Sequence, residues 1–413
     1  MKILQINNCH YRRGGADVVY LNTGELLESY GNDVFYFSQK NDTNIPLEVS
    51  DNFVDEISFF EKTILEKIFS VPRFFYSKEA SVKIEKLIKK VKPQVAHIHT
   101  YKGTLTPSIL KKLKEYSIPV VITLHDYGFL CPHNSFLDGK KEICTKCLDT
   151  GNSINGIINR CNRNSLVYST ISVLEYKAHK VFFPFEKYFD HLISVSKFNF
   201  NLHNKVNGFK NKLSHVYNFV NLKQITANST KGNYFLYYGR LSDEKGILTL
   251  LKAWLEVGEN IQLKIAGDGP LKEKMLSFID ENNLSNVQYL GFKQKDELFD
   301  LMSKSSFNIV PSEWYENNPL TVLESYALGK PVIGANVGGI PEIINDAETG
   351  FIFEMKNFKN LSEVIKKASQ MSDQEYLVFS KNARKFAEVN FSEHNHYNKL
   401  MTVYNKLINE NEK

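Results

Sequence analysis

The sequence predicts an α/β protein made of two doubly wound parallel sheets that face each other across a cleft. Three observations carry this. Short apolar runs alternate with amphipathic helical stretches along most of the 413 residues, the pattern of strand–helix–strand units. The alternation then restarts. NLKQITANSTKGN (221–233) is polar and aperiodic, and YFLYYGRLSDEKGI opens a second strand, loop and helix start. Finally, charged or glycine-bearing loops follow the apolar runs, at the carboxyl ends of strands where open α/β sheets bind ligands.

The length favours two domains, and 42% apolar residues is ordinary for a globular core. A net charge of +5 suits an anionic ligand or a membrane surface and is too weak to argue nucleic acid. MKILQINNC lacks a signal-peptide apolar region, and no run of 18 apolar residues occurs. The expectation is a cytoplasmic protein, at most lying on a membrane.

KILQI reads as the first buried strand, followed by a polar loop with Gly14-Gly15 and an amphipathic helix to about Ser29. The glycine pair is not the GxGxxG of a dinucleotide fold, which counts against an NAD enzyme. It makes a tight turn or lets backbone approach a ligand at Gly15. DVFYFS is the second strand. Residues 57–92 carry nine Lys/Arg against four Glu, with clustered aromatics Phe59, Phe60, Phe69, Phe74, Phe75 and Tyr76. They read as surface helices packing on the sheet or as a patch facing anionic lipid. VAHIHT and PVVITLHD are further strands. His97 and His99 share a face and read as structural, whereas His125 ends a strand and is a site candidate, with Asp126 as an orienting or structural neighbour.

Cys131, Cys144, Cys147 and Cys161 follow with the spacing C-x12-C-x2-C-x13-C. In a cytosolic protein this argues against disulfides. The alternatives are four thiolates for a structural zinc, an iron–sulfur centre, or unliganded thiols in an insertion. Residues 165–193 are helical and aromatic-rich and read either as an acceptor or lipid surface or as core. HLISVS and LSHVYN close the first half.

In the second half Arg240 closes a strand, Lys245 lies five residues on, and Gly246 opens a helix. Two cations at a helix start suit a pyrophosphate, and a solvated mixed-charge loop is the alternative. IQLKIAGDGP is a strand with a tight turn at Asp268-Gly269. Residues 307–340, FNIVPSEWYENNPLTVLESYALGKPVIGANVGGI, hold the densest signals. They read as strand, loop, helix, strand, with Asn318 as N-cap and Pro319 as first helical residue. Glu316 precedes the helix and Glu324 lies inside it, so both border an N-terminus that favours phosphate. Two acids there fit a ligand with a central diphosphate and sugars at both ends. The plainer reading is one acid at a helix start and one exposed helical Glu. Glu342 in VGGIPEII reads as structural.

The E-x7-E from Glu316 to Glu324, followed by SYALGKPVIG, resembles the signature of retaining glycosyltransferase family 4, which has the GT-B fold of two Rossmann-like domains. Gly-Arg…Lys-Gly at 239–246 matches that family's phosphate motif. The resemblance covers nearly the whole chain, with specific motifs in the second half and looser ones in the first. It implies that Glu316 contacts the donor sugar, Glu324 the ribose, and the backbone of Asn317, Asn318, Pro319 and Leu320 the diphosphate. The family more often has Gly-aromatic-Gly after the first Glu, and Pro319 offers no N–H. The resemblance further implies that Gly15 lines the donor phosphates, with Asp17 where the family usually has Glu. His125 would stand near the donor sugar, and the Asp268 loop would border the nucleobase. It implies domains 1–220 (acceptor side, with the cysteine cluster), 221–390 (nucleotide-sugar side), and a last helix, 391–413, packing back on the first.

The expected activity is retaining transfer of a sugar from a UDP- or GDP-sugar to a hydroxyl of a glycan or lipid-linked acceptor, as in capsule, O-antigen or exopolysaccharide assembly at a bacterial inner membrane. Lysine and arginine replace a divalent metal at the phosphates. A nucleotide-sugar epimerase of GT-B architecture and a non-catalytic partner subunit are the alternatives.

Overall fold

The computed structural model describes residues 1–47, 52–56, 75–206 and 208–411. It contains two six-stranded sheets. The first holds β1 (Lys2–Ile6), β2 (Asp33–Phe37), β3 (Val95–Ile98), β4 (Val120–Leu124), β5 (His191–Ser194) and β6 (Leu213–His215), in the order β2-β1-β3-β4-β5-β6. The second holds β7 (Tyr234–Tyr238), β8 (Gln262–Ala266), β9 (Val287–Tyr289), β10 (Asn308–Val310), β11 (Val332–Ala335) and β12 (Gly350–Phe353), in the order β12-β11-β10-β7-β8-β9. Every pairing within the sheets is parallel. VVITL of β4 and YFLYY of β7 are buried throughout, as expected where helices cover both faces.

Strand order reverses direction between β1 and β3 in one sheet and between β7 and β10 in the other. Crevices open at the carboxyl ends of strands at such points. The loops placed there are 7–14 and 99–107 on one side, and 239–246 and 311–319 on the other. The charged loops of the sequence thus converge because of topology.

Each sheet has its own core. Phe235, Trp254, Phe307, Tyr326 and Tyr376 anchor the second, and Leu4, Ile98, Ile122 and Leu192 the first. The helix Glu393–Asn411 adds Leu400, Tyr404 and Leu407 to a cluster with Ile3, Val95, Val121 and Ile193 of the first sheet. The helix Lys78–Val91 is capped by Ser77, whose Oγ accepts from Ala80 N, and buries Ala80, Ile84, Leu87, Ile88 and Val91. This part of the basic stretch is a surface helix on the sheet. Phe59, Phe60, Phe69 and Phe74 lie outside the described residues.

Candidate active site

The two sets of loops enclose a cleft of about 880 Å³. Gly15, His125, Arg240, Lys245, Glu316, Asn317, Asn318, Pro319, Leu320 and Glu324 all line it. Asp268 and the four clustered cysteines do not. Arg13, Thr100, Tyr238 and Trp314 line it as well and carried no site assignment in the sequence. For Arg13 the only signal was a cation beside the glycine pair.

Lys245 and Glu316 form the centre. The loop after β7 reaches Lys245 through a single 3-10 turn, and Gly246 then takes φ +70°. A Cβ at Gly246 would overlap the Pro311 carbonyl, so only glycine lets this loop lie against the one after β10. Lys245 Nζ donates to Glu316 Oε1 at 2.7 Å, and Ser312 Oγ donates to the same oxygen at 2.8 Å. Burial alone would push the Glu316 carboxyl up. The adjacent ammonium and hydroxyl outweigh it, and the group lies below the usual glutamate range. Glu316 is therefore a buried, ion-paired carboxylate and more than the helix-start acid of the plainer reading. Lys245 keeps two donors for a second anion. Arg240 is exposed at the cleft edge and has no ion-pair partner among the described residues.

The helix Leu320–Ala327 starts one residue later than the sequence implies. Pro319 is its N-cap, with ψ 120°. Asn318 does not cap it. Its Oδ1 accepts from Asn218 N at 2.9 Å, and its carbonyl from Asn218 Nδ2 at 3.2 Å. The open first-turn amides facing the cleft are those of Leu320 and Thr321. Asn317 also turns to the first domain. Its Oδ1 accepts from Asn199 Nδ2 at 2.9 Å, and its Nδ2 donates to the His125 carbonyl at 2.8 Å. Tyr127 donates to the Tyr315 carbonyl. Glu342 spans the domains too, accepting from Lys197 N and Phe198 N at 2.8 and 3.0 Å. The loop that carries Glu316 is thus fastened to the opposite domain.

Glu324 lies on the wall near Tyr238, whose hydroxyl is 3.2 Å from Oε2 and 2.9 Å from the Thr321 carbonyl. Burial raises its carboxyl to about 7. His125 stands on the opposite wall. Its Nε2 is 2.9 Å from His99 Nδ1, and His99 Nε2 is 3.1 Å from Gln5 Oε1. With Gln5 placed oxygen-first, His99 donates to Gln5 and accepts from His125, which leaves His125 Nδ1 as an acceptor. His97 bonds Tyr404 and Thr123, so both early histidines are satisfied structural residues. Burial presses His125 down to about 3, and it is neutral at working pH.

Asp268 is exposed, and its carboxylate accepts from Gly269 N at 2.8 Å. It stabilises its own turn beside Leu241. Asp17 is buried, held by Asn7 Nδ2 at 2.8 Å and by Arg13 at 3.4 Å. Cys131, Cys144, Cys147 and Cys161 are free thiols. Among the described residues, no group of three or more His, Cys, Asp or Glu side chains is arranged to hold a metal ion.

Opposed cations, helix-start amides and buried carboxylates in a cleft between two doubly wound domains fit a sugar nucleotide. Residues 13–224 match the family described as Glycosyltransferase Family 4, and residues 219–386 match Glycosyl transferases group 1. The chain belongs to glycosyltransferase family 4. An uncharacterised glycosyltransferase of Methanocaldococcus jannaschii is 30% identical over 68% of this chain and 82% of its own. Sucrose-phosphate synthase from Thermosynechococcus elongatus superposes with TM-score 0.71 at 19% identity, over 99% of each chain. An Anabaena protein solved with UDP and glucose superposes at 0.70 and 16% identity, over 98% of this chain and 100% of that one. The fold is GT-B, and this family member is a glycosyltransferase that uses a nucleotide-sugar donor.

Proposed function

We propose that the enzyme transfers a sugar, with retention of its anomeric configuration, from a UDP- or GDP-sugar to a hydroxyl of a glycan or lipid-linked acceptor. Polysaccharide assembly is the proposed setting. The observation that supports this best is the pair of half-buried Lys245 and buried Glu316, with His125 on the opposite wall of the cleft. It sets a phosphate-binding cation and a hydroxyl-binding carboxylate side by side.

As the bond between the anomeric carbon and the diphosphate oxygen breaks, negative charge grows on the leaving diphosphate. Arg240, Lys245 and the amides of Leu320 and Thr321 stabilise that charge. In this reading no divalent ion is needed there. Glu316 accepts hydrogen bonds from the sugar hydroxyls, Glu324 from the ribose, and His125 Nδ1 from the sugar on the other side. Gly15 brings backbone close to the phosphates. The acceptor hydroxyl attacks from the face the diphosphate leaves, and the diphosphate takes its proton.

The test is incubation with UDP- and GDP-sugars, with and without glycan and lipid-linked acceptors. Acceptor-dependent nucleotide release and an α-linked product from an α-linked donor support the reading. Sugar interconversion without an acceptor would mark an epimerase. A chain that binds nucleotide but releases none with any acceptor would mark a partner subunit. Activity abolished by EDTA and restored by magnesium would remove the metal-free mechanism.

A further inference from the structure

We propose that the outer face of the helix Leu166–Phe182 seats this enzyme on an anionic lipid bilayer. A helix on a water-facing surface buries its apolar stripe and exposes polar residues. This one does the reverse over much of its length. Val167, Ile171, Leu174 and Val181 recur at i, i+4, i+7 and i+14 along one line and are 67%, 39%, 54% and 71% exposed. Phe182 beside them is 70% exposed. The inward side carries Ser169, Val173 and His179, buried, and Tyr176, whose hydroxyl donates to the Phe129 carbonyl at 3.0 Å. Ile158, 70% exposed on the preceding helical turn, extends the apolar surface. Contiguous exposed apolar surface of this kind marks an interaction site.

The charge around the line selects the occupant. Between residues 154 and 188 the exposed charged groups are Arg160, Arg163, Lys177, Lys180, Lys187 and one acid, Glu186. Five cations around an apolar strip match acyl chains beneath anionic headgroups. The helix is about 25 Å long at 1.5 Å per residue, and no described helix is long and apolar enough to cross a membrane. It would lie in the interface plane.

Small hollows lie between the inward side of this helix and the cleft. Tyr176, His179 and Lys180 of this helix line a hollow with Lys102 and Phe129. Lys102 and Phe129 border the next hollow, which reaches Arg13 and His125. The membrane surface itself stands independently of the transfer chemistry.

The experiment is co-sedimentation of the full chain with phosphatidylcholine vesicles, with and without phosphatidylglycerol, at low and high salt. Wild type should bind the anionic vesicles about tenfold tighter than the neutral ones and lose that margin at high salt. The double variants Leu174→Glu/Val181→Glu and Lys177→Glu/Lys180→Glu should each lose about tenfold of this affinity. UDP binding and melting temperature should be unchanged in both. Vesicle binding that ignores lipid charge, no vesicle binding, or full binding by either variant overturns the proposal. A wild-type dimer that Leu174→Glu/Val181→Glu makes monomeric, without vesicle binding, would give the surface to a second copy instead.

Discussion

Replacing Lys245 with methionine keeps all but the last atom of the side chain's length and removes the charge. The Nζ–Oε1 distance is 2.7 Å, Glu316 is 8% exposed and Lys245 is 30% exposed. At an effective dielectric near 20 a pair this close attracts by about 4–6 kcal/mol before desolvation is counted. Stranding one member of a fully buried pair costs about 3–5 kcal/mol. Because Lys245 is partly solvated, a loss of about 2–3 kcal/mol is expected here. The pH dependence should weaken. In the wild type the Glu316 carboxyl lies below its unfolded value, so its contribution is present above that value and lost as pH falls. In Lys245→Met only the Ser312 and Trp314 hydrogen bonds still oppose burial, so the carboxyl rises and the variant should lose less stability than the wild type as pH falls. Under the proposed reaction, turnover should fall about 10²–10³-fold, as for loss of one preorganised donor to developing charge. Lys245→Met/Glu316→Gln should recover stability but not turnover. Urea unfolding across pH and nucleotide-release rates read both quantities. Wild-type turnover in the single variant, or no recovery of stability in the double one, refutes the assignment.

His125→Ala should lower turnover about 10²-fold while UDP affinity, measured by calorimetry, changes little. Since burial holds His125 at about 3, its stabilisation is present above the unfolded histidine value and lost as pH falls below it, and it should add no inflection to the rate between pH 7 and 8. Glu324 is raised to about 7, so ribose binding to its carboxylate should release a proton, and uridine affinity should weaken as pH drops from 8 to 6. Glu324→Gln should abolish that slope in calorimetry. Glu342→Ala removes the acceptor for Lys197 N and Phe198 N and should raise the donor KM about fivefold, the equivalent of ~1 kcal/mol, with kcat nearly unchanged. Closure of Cys131, Cys144, Cys147 and Cys161 on zinc, which requires their loops to draw in from the positions seen, predicts one metal per chain and four alkylation-protected thiols. Metal analysis showing neither removes that proposal.

What the sequence made legible was local. Apolar runs marked the strands, and the loops after β7 and β10 each hold their site residues within about ten positions. Arg240, Lys245, Glu316 and Glu324 could therefore be found from spacing and from one family motif. What it hid depends on parallel register and on the meeting of domains. Gln5, His99 and His125 become a hydrogen-bonded chain only because β1, β3 and β4 lie side by side. Nothing in the local sequence of Asn317 or Asn318 indicates that Asn199 and Asn218 will take their side chains. The N-cap misassignment has the same origin, because bonds to Asn218 hold Asn318 and leave Pro319 to start the helix. Asp268 shows the converse. The sequence reads a tight turn there, and the carboxylate accepts from the Gly269 amide one residue on, a bond local enough to be legible.

These hidden bonds change what the legible residues mean. Glu316 sits on a loop whose next two side chains are bonded to the first domain, while Lys245 belongs wholly to the second. Gly338, at φ +59°, and Gly339 leave room for that loop only because they lack a Cβ. Rotation of the domains would thus pull on the carboxylate that holds Lys245, and with it on the cation meant for the diphosphate. Were the domains to close on the donor, Asn218 would act on that step through this loop and Glu342 through its bonds to Lys197 and Phe198. A site read only as motifs would assign them no part in catalysis. The geometry makes them groups that tie the two domains together beside the site.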